Sequence, residues 1–227
     1  MNVIFKNEEI KCPEYLLDRV LGLKPITTAI IGAADASVLA SVKQAQESEI
    51  ISPILVGDSS KIRSCAVEIG WDLHQVDIVN AQGELSIAEE GVKLVSAGTV
   101  KMIMKGHIHT DVFVRPLVNK SSGFREKKRL SHVFHMTLPN TDKFILLTDC
   151  ALNVAPSVKT RISVVQNAVE LAQNLGVKRP KVALLAASET VSESMPITQD
   201  CFNITQHFED NKIYYLLSRC KIETNTY

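Results

Sequence analysis

Neither sign of charge dominates this sequence: 25 Lys and Arg balance 25 Asp and Glu, for a formal net charge of zero. A surface dedicated to nucleic acid or to an anionic membrane needs a basic excess, so neither is expected as a partner. No apolar run approaches the roughly 18 residues of a membrane span. The first residues, with Lys6, Glu8, Glu9 and Lys11, lack the apolar core of a signal peptide. Cysteine is scattered: Cys12, Cys65, Cys150, Cys201 and Cys220 form no CxxC pair. That pattern argues against a disulfide or zinc framework and fits reduced thiols in the cytoplasm, the expected location. Aromatics make up only 5% of the residues, against 45% apolar and 22% charged, a composition ordinary for a soluble globular protein. With 227 residues the chain is long enough for one large domain or two small ones, each with its own core.

What is present is a regular alternation. Helical spacing of Leu16, Leu17, Val20 and Leu21 predicts a short helix ended by Gly22 and Pro25. Apolar runs at residues 28–32, 54–57, 76–79 and 100–104 read as strands. Helices are predicted between and after them. One is capped by Asp35 or Ser37 and runs to Glu47; one runs from Asp58 or Ser59 to Gly70; the others cover 86–97 and 110–118. Strands alternating with helices of about ten residues imply right-handed βαβ units and a parallel sheet covered on both faces, an α/β fold.

Residues 119–130, with Ser, Gly and a basic run at Arg125, Lys127, Lys128 and Arg129, read as a loop at a domain boundary. The run is either a solvated surface or a landing site for a polyphosphate tail. Beyond it, residues 131–138 and 144–148 are predicted as strands joined by a turn at 139–142, which would add antiparallel pairing to the sheet. The clearest helix follows, capped by Ser157 and ended by Gly176, with Val164, Ala168, Leu171, Ala172 and Leu175 on its apolar face. A buried strand is predicted at 181–187 and a more polar helix at 197–208. The expected domains are residues 1–125, 126–213 and a divergent tail, 214–227.

Everything is arranged around residues 100–115. A strand ends at Met104, Lys105-Gly106 turns the chain, and a helix begins near Thr110, which with Asp111 is a candidate cap. The first turn of a helix carries free N–H groups and partial positive charge, and Lys105 and Arg115 could add full charge. This is an anion seat at a strand's carboxyl end, where ligands bind in α/β sheets. Two further loops, 149–156 with Asp149 and Asn153 and 187–195 with Ser188 and Glu189, also follow predicted strands. Their convergence would make a ligand site.

Other chemistries fit less well. His107 and His109 form an HxH pair, but no second His pair or Cys cluster completes a metal site, and none is expected. The turn at residues 31–35 has no repeated glycine and no acidic partner on the next strand, as a dinucleotide fingerprint requires. GxSxG is absent. Cys150 beside Asp149 reads as a small buried thiol before a nucleophile.

Taken together, residues 34–39, 53–58, 104–111 with Arg115-Pro116, 131–134, 148–156, 165–168, and 188–191 with Met195-Pro196 resemble the phosphate acetyl/butyryltransferase family in one collinear order over residues 27–213. The resemblance is nearer to the butyryl-type members, and to the transacetylase-like module fused to enoyl-CoA hydratases, than to dedicated acetyl enzymes. It implies transfer of an acetyl or butyryl group between CoA and phosphate, with no cofactor beyond the CoA substrate. It implies two three-layer α/β/α lobes with mostly parallel sheets, like isocitrate and isopropylmalate dehydrogenases, and a homodimer. By the same resemblance Thr110 and Arg115 match the phosphate-side positions and Lys105 and Gly106 the strand-end turn, while Asp149, Asn153, Ser188 and Glu189 match the other cleft loops. Family members continue past the position of Ile213 to a late Ser-Arg and Asp, to which phosphate binding and base function are ascribed. Residues 214–227 hold no counterpart, so the catalytic base is unassigned and the chain is expected to be a truncated member. A protein that only binds CoA or phosphate is the alternative.

Overall fold

The structure is a computed structural model that describes residues 12–119, 123–124, 129–138, 141, 143–150, 152–188, 190–211 and the backbone of 216–218. The chain divides into two compact units, Met1–Glu126 and Lys127–Tyr227.

After a single helical turn, α1 (Glu14–Leu17), the first unit is a run of βα pairs. They are β1 (Ile26–Ile31), α2 (Ala36–Glu47), β2 (Ile51–Gly57), α3 (Ser59–Glu68), β3 (Asp77–Asn80), α4 (Glu84–Ser96), β4 (Met102–Lys105) and α5 (Thr110–Leu117). The four strands form one parallel sheet in the order β3-β2-β1-β4. In β1, Ile30 packs into a core with Leu39 and Val42 of α2 and Ile62 and Ala66 of α3. Its neighbours face the other way: Ala29 joins Val56 and Val100, and Ile31 joins Ala88 and Ile108 against α4 and α5. A strand apolar on both faces is what burial between two helical layers requires, and the expected three-layer α/β/α architecture with a parallel sheet is borne out. Helices α2 and α3 start where the sequence predicts. Asp35 accepts from the N–H groups of Ser37 and Val38, and Asp58 from those of Ser60 and Lys61.

The second unit contains β5 (Val133–Thr137), β6 (Phe144–Thr148), α6 (Val158–Asn174), β7 (Lys181–Ala183), α7 (Pro196–Asp210) and β8 (Leu216–Ser218). Its core joins Val165 and Val169 of α6 to Ile204 and Phe208 of α7. Ser157 caps α6 as predicted, accepting from the Thr160 N–H.

Four expectations are corrected. The hairpin β5–β6 does not extend the parallel sheet; it forms a separate antiparallel pair, closed by Leu138 N–H donating to the Lys143 carbonyl. Of its turn, Pro139, Asn140 and Asp142 lie outside the described residues. The buried face of α6 is turned toward Val165 and Val169, leaving Ala168, Leu171 and Leu175 half-buried, because α7 docks there. The strand predicted over 181–187 is three residues with alternating, incomplete burial, and it pairs in parallel with β8, a strand the polar tail did not announce. Helix α1 stops at Leu17, short of Leu21, which is exposed.

Candidate functional site

Strand order decides where the site of the first unit lies. From β1 the chain moves to β2 and then β3 on one side, and α4 returns it to β4 on the other. The connections leaving β1 and β4 therefore diverge, and it is beyond the carboxyl ends at such a point that α/β sheets bind ligands. There the two strand exits cross at van der Waals limit. Gly106 N–H donates to the Ile31 carbonyl (2.8 Å) and His107 N–H to the Gly32 carbonyl (2.9 Å). A Cβ on Gly106 would lie 2.5 Å from the Gly32 carbonyl oxygen, and one on Gly32 would lie 2.7 Å from that of His107. Gly32 also has φ +79°, a conformation glycine adopts at little cost.

This crossing aims the following segment. Ile108 is buried, and the residues on either side of it, His107 and His109, are exposed. Each imidazole turns to its own carboxylate. His107 Nδ1 is 3.8 Å from Asp35 Oδ2, an oxygen of the residue that caps α2. His109 Nδ1 is 2.8 and 2.9 Å from the two oxygens of Glu84, and its backbone N–H donates to Oε2 at 3.3 Å. Hydrogen bonding from the His109 ring, before any other cause, holds the Glu84 carboxyl below its ordinary value. The Asp35 carboxyl is lowered too, first by the Ser37 hydroxyl. Among the described residues no group of three His, Cys, Asp or Glu is placed to hold a metal ion.

Neither predicted residue caps α5. Its N-cap is His109, which makes no side-chain cap bond, and Thr110 and Asp111 already lie inside the helix. The N–H groups of Thr110, Asp111 and Val112 therefore have no protein acceptor among the described residues, whereas Phe113 begins the ladder by donating to the His109 carbonyl. Lys105 is exposed, its Nζ 3.5 Å from the Gly106 carbonyl. Arg115 is exposed in the last turn of α5, about 7.5 Å of helix rise beyond Thr110. A shallow groove lined by Gln46, Asp72, His74, Gln75 and Val76 lies at the opposite edge, where strands begin, and gathers none of these groups.

In the second unit the predicted loop residues are used by the loop itself. Asp149, joined to Thr148 by a cis peptide bond, accepts from the His132 N–H (2.8 Å), the Asn153 N–H (2.9 Å) and Asn153 Nδ2 (2.7 Å). Asn153 Nδ2 also donates to the Leu130 carbonyl. Ser188 closes a small turn, its Oγ accepting from the Thr190 N–H. Cys150 is half-buried, its thiol directed at the Leu147 carbonyl. Glu189, Arg125, Lys127 and Lys128 lie outside the described residues.

Two residues at this crossing carry little local signal in the sequence. Gly32 follows an apolar strand just as Gly57 and Gly106 do, and that shared position was the available signal. Glu84 opens α4 behind Gly83, which has no capping side chain, so the sequence pattern announces the helix only from Ser86 and leaves its first carboxylate outside.

The comparisons agree on one family. Its sequence profile, described as phosphate acetyl/butaryl transferase, matches residues 86–217. A phosphate butyryltransferase of Clostridium acetobutylicum is 36% identical over 191 residues, covering 84% of this chain and 63% of the relative. A phosphate acetyltransferase of Rickettsia typhi is 34% identical over 199 residues, covering 87% and 57%. The chain thus spans about three-fifths of the length of these relatives. Among solved structures, a branched-chain phosphotransacylase from Enterococcus faecalis superposes with a TM-score of 0.68 at 31% identity, over 85% of this chain and 67% of that one. A phosphotransacetylase from Streptococcus pyogenes, at 21% identity, shares the fold with a TM-score of 0.76 over 92% and 72%. No helix among the described residues is long and apolar enough to cross a membrane. The chain belongs to the phosphate acetyl/butyryltransferase family.

Proposed function

We propose that this chain transfers an acetyl or butyryl group between CoA and inorganic phosphate: acyl-CoA + phosphate ⇌ acyl phosphate + CoA. Family membership carries the reading, and the open first turn of α5 at the β1/β4 switch point supports it. Phosphate is multiply charged, and three backbone N–H groups at a helix start suit its oxygens. In this reading Gly106 lets the turn approach the ligand, Thr110 adds a hydroxyl, and Lys105 and Arg115 supply cationic charge. The same groups offset charge on the phosphate as it leaves the acyl carbon. Asp149, Asn153, Ser188 and Glu189 are the substrate-binding candidates of the second unit, and the bonds between Asp149 and Asn153 would hold their loop in shape for a ligand. The chemistry uses CoA as a substrate and calls for no other cofactor, and cysteines scattered without a CxxC pair fit a cytoplasmic location.

The reading includes a homodimer. Phe134 and Met136 of β5 stand opposite Leu147 and Ile145 of β6, and all four are exposed on one face of the hairpin. A contiguous apolar face of this kind is suited to burial against a second copy. Met136→Glu should convert the dimer to a monomer in multi-angle light scattering with little loss of helical signal; a monomeric wild type would refute the dimer.

The deciding experiment measures CoA release from acetyl-CoA and butyryl-CoA by the purified chain, with and without phosphate. Phosphate-dependent thiol release is expected, and the faster substrate identifies the preferred acyl chain. A folded chain that binds CoA but releases none would overturn the enzyme reading in favour of a binding protein.

A further inference from the structure

We propose that Asn167 is a positioning residue for the acyl-CoA side of the reaction, acting through residues 129–132 on the loop that carries Asp149 and Asn153; this rests on the acyltransferase reading above. Residues 131–134, 148–156 and 165–168 share the family resemblance, yet the last of these stretches carries no residue of the candidate site. In the structure all three belong to one hydrogen-bonded network. Asn167 stands in the middle of α6, where asparagine is among the poorer helix formers, so its use lies outside the helix. A carboxamide has two hydrogens to give, and both are spent on the chain that enters β5. Nδ2 donates to the Arg129 carbonyl and to Ser131 Oγ, each at 2.8 Å.

The segment so held satisfies its main chain with side chains from the loop at the end of β6. The Leu130 carbonyl accepts from Asn153 Nδ2 (3.0 Å), the His132 N–H donates to Asp149 Oδ1 (2.8 Å), and the His132 carbonyl accepts from Thr148 Oγ1 (2.7 Å). Asn153 and Asp149 are also bonded to each other, Nδ2 donating to Oδ2 at 2.7 Å. Both hydrogens of the Asn153 carboxamide are therefore committed, one to the loop and one to the segment.

Asn167 fixes that segment from the helix side, on the carbonyl next to the one that Asn153 holds. Without it the segment loses its tie to α6, and the bond that keeps the Asn153 carboxamide from turning is weakened. A group already held in its binding geometry orders at little cost when the ligand arrives, whereas a loose one gives up affinity for the ordering. Asn167 thus acts on the substrate through Asn153 and Asp149 and need not touch it.

The test measures kcat and both KM values, with phosphate and the faster of acetyl-CoA and butyryl-CoA, at a temperature well below every melting point. Asn167→Ala should raise the KM for acyl-CoA about 10-fold with kcat nearly unchanged, the pattern of lost substrate binding. The KM for phosphate should hold, because its candidate contacts are in the first unit. Asn167→Asp keeps the shape and removes only the donors, so its effect should be at least as large. Asn153→Ala should act in the same direction, and the double alanine variant should fall short of the product of the single effects, since both side chains hold adjacent carbonyls. Thr205→Ala controls for lost stability alone: it removes a buried hydroxyl bonded to the Cys201 carbonyl within α7, and should lower the melting temperature with both KM values in place. A wild-type KM for acyl-CoA in the Asn167 variants, an equal rise in the KM for phosphate, single effects that multiply, or the same KM rise in Thr205→Ala would each overturn the assignment while leaving the acyltransferase reading intact. A wild type with no phosphate-dependent turnover would instead remove that reading, and the proposal with it.

Discussion

Alanine at Gly106 should destabilise the first unit by about 1–3 kcal/mol, the usual cost of forcing extra atoms into a packed crossing. The added Cβ would meet the Gly32 carbonyl oxygen at 2.5 Å and the Ile31 carbonyl oxygen at 3.0 Å. Both are backbone atoms of a fully buried strand exit, so no side chain can swing away to relieve the contact. Gly32→Ala should be worse, because a positive φ adds about 1–2 kcal/mol for a residue with a Cβ. In thermal melts these should appear as falls of roughly 5–15 °C, larger for Gly32. The pair should not be additive: whichever substitution forces the crossing apart also relieves the other. An unchanged melting temperature in both variants would mean that the exits of β1 and β4 do not touch as described. Glycines at open turns, Gly70 and Gly98, have nothing within 4 Å and measure the conformational cost without the steric one.

The second large effect should be on turnover without stability. Arg115 is exposed and forms no ion pair or hydrogen bond among the described residues, so Arg115→Ala should leave the melting temperature unmoved. Phosphate-dependent CoA release should nevertheless fall about 100-fold, the loss typical when one donor to developing charge is removed. Arg115→Lys should recover part of it, since an ammonium restores charge but not the paired N–H geometry of a guanidinium. If Arg115→Ala turns over like wild type, the residue belongs to the solvated face of α5 and the phosphate contacts must be assigned elsewhere. If the rate falls together with the melting temperature, the role is structural.

The layered architecture of the first unit was legible because its signals are local. Apolar runs in β1 and β2, with Asp35 and Asp58 directly after their carboxyl-terminal turns, specify strand, turn and helix within about ten residues each. The site was half legible for the same reason. The turn after β4 and the helix that follows can be read from one stretch; α5 starts at Thr110 as expected, while Lys105 ends the strand and the turn begins at Gly106. What the stretch does not contain is its partners. Gly32 and Glu84 meet it only once the sheet has assembled, and no pattern in residues 100–115 names them. The misjudged face of α6 has a similar origin. Leu171 and Leu175 are as apolar as Val165 and Val169, and the docking of α7 decides which pair is covered.

The order of the strands also bears on time. Strands β1 and β2 join residues such as Ile26 and Ile51, close in sequence, whereas β1 meets β4 through Thr28 and Met102. Closing the longer span costs roughly 1 kcal/mol more in chain entropy, and the cost falls before the reward of the contact arrives. The β1–β4 seam is therefore expected to close late in folding and to part early in unfolding. A substitution at Gly32 or Gly106 would then act mainly by hastening escape from the native state, with little delay in reaching it. The seam that carries the candidate phosphate-binding groups would be the part of the first unit with the shortest lifetime.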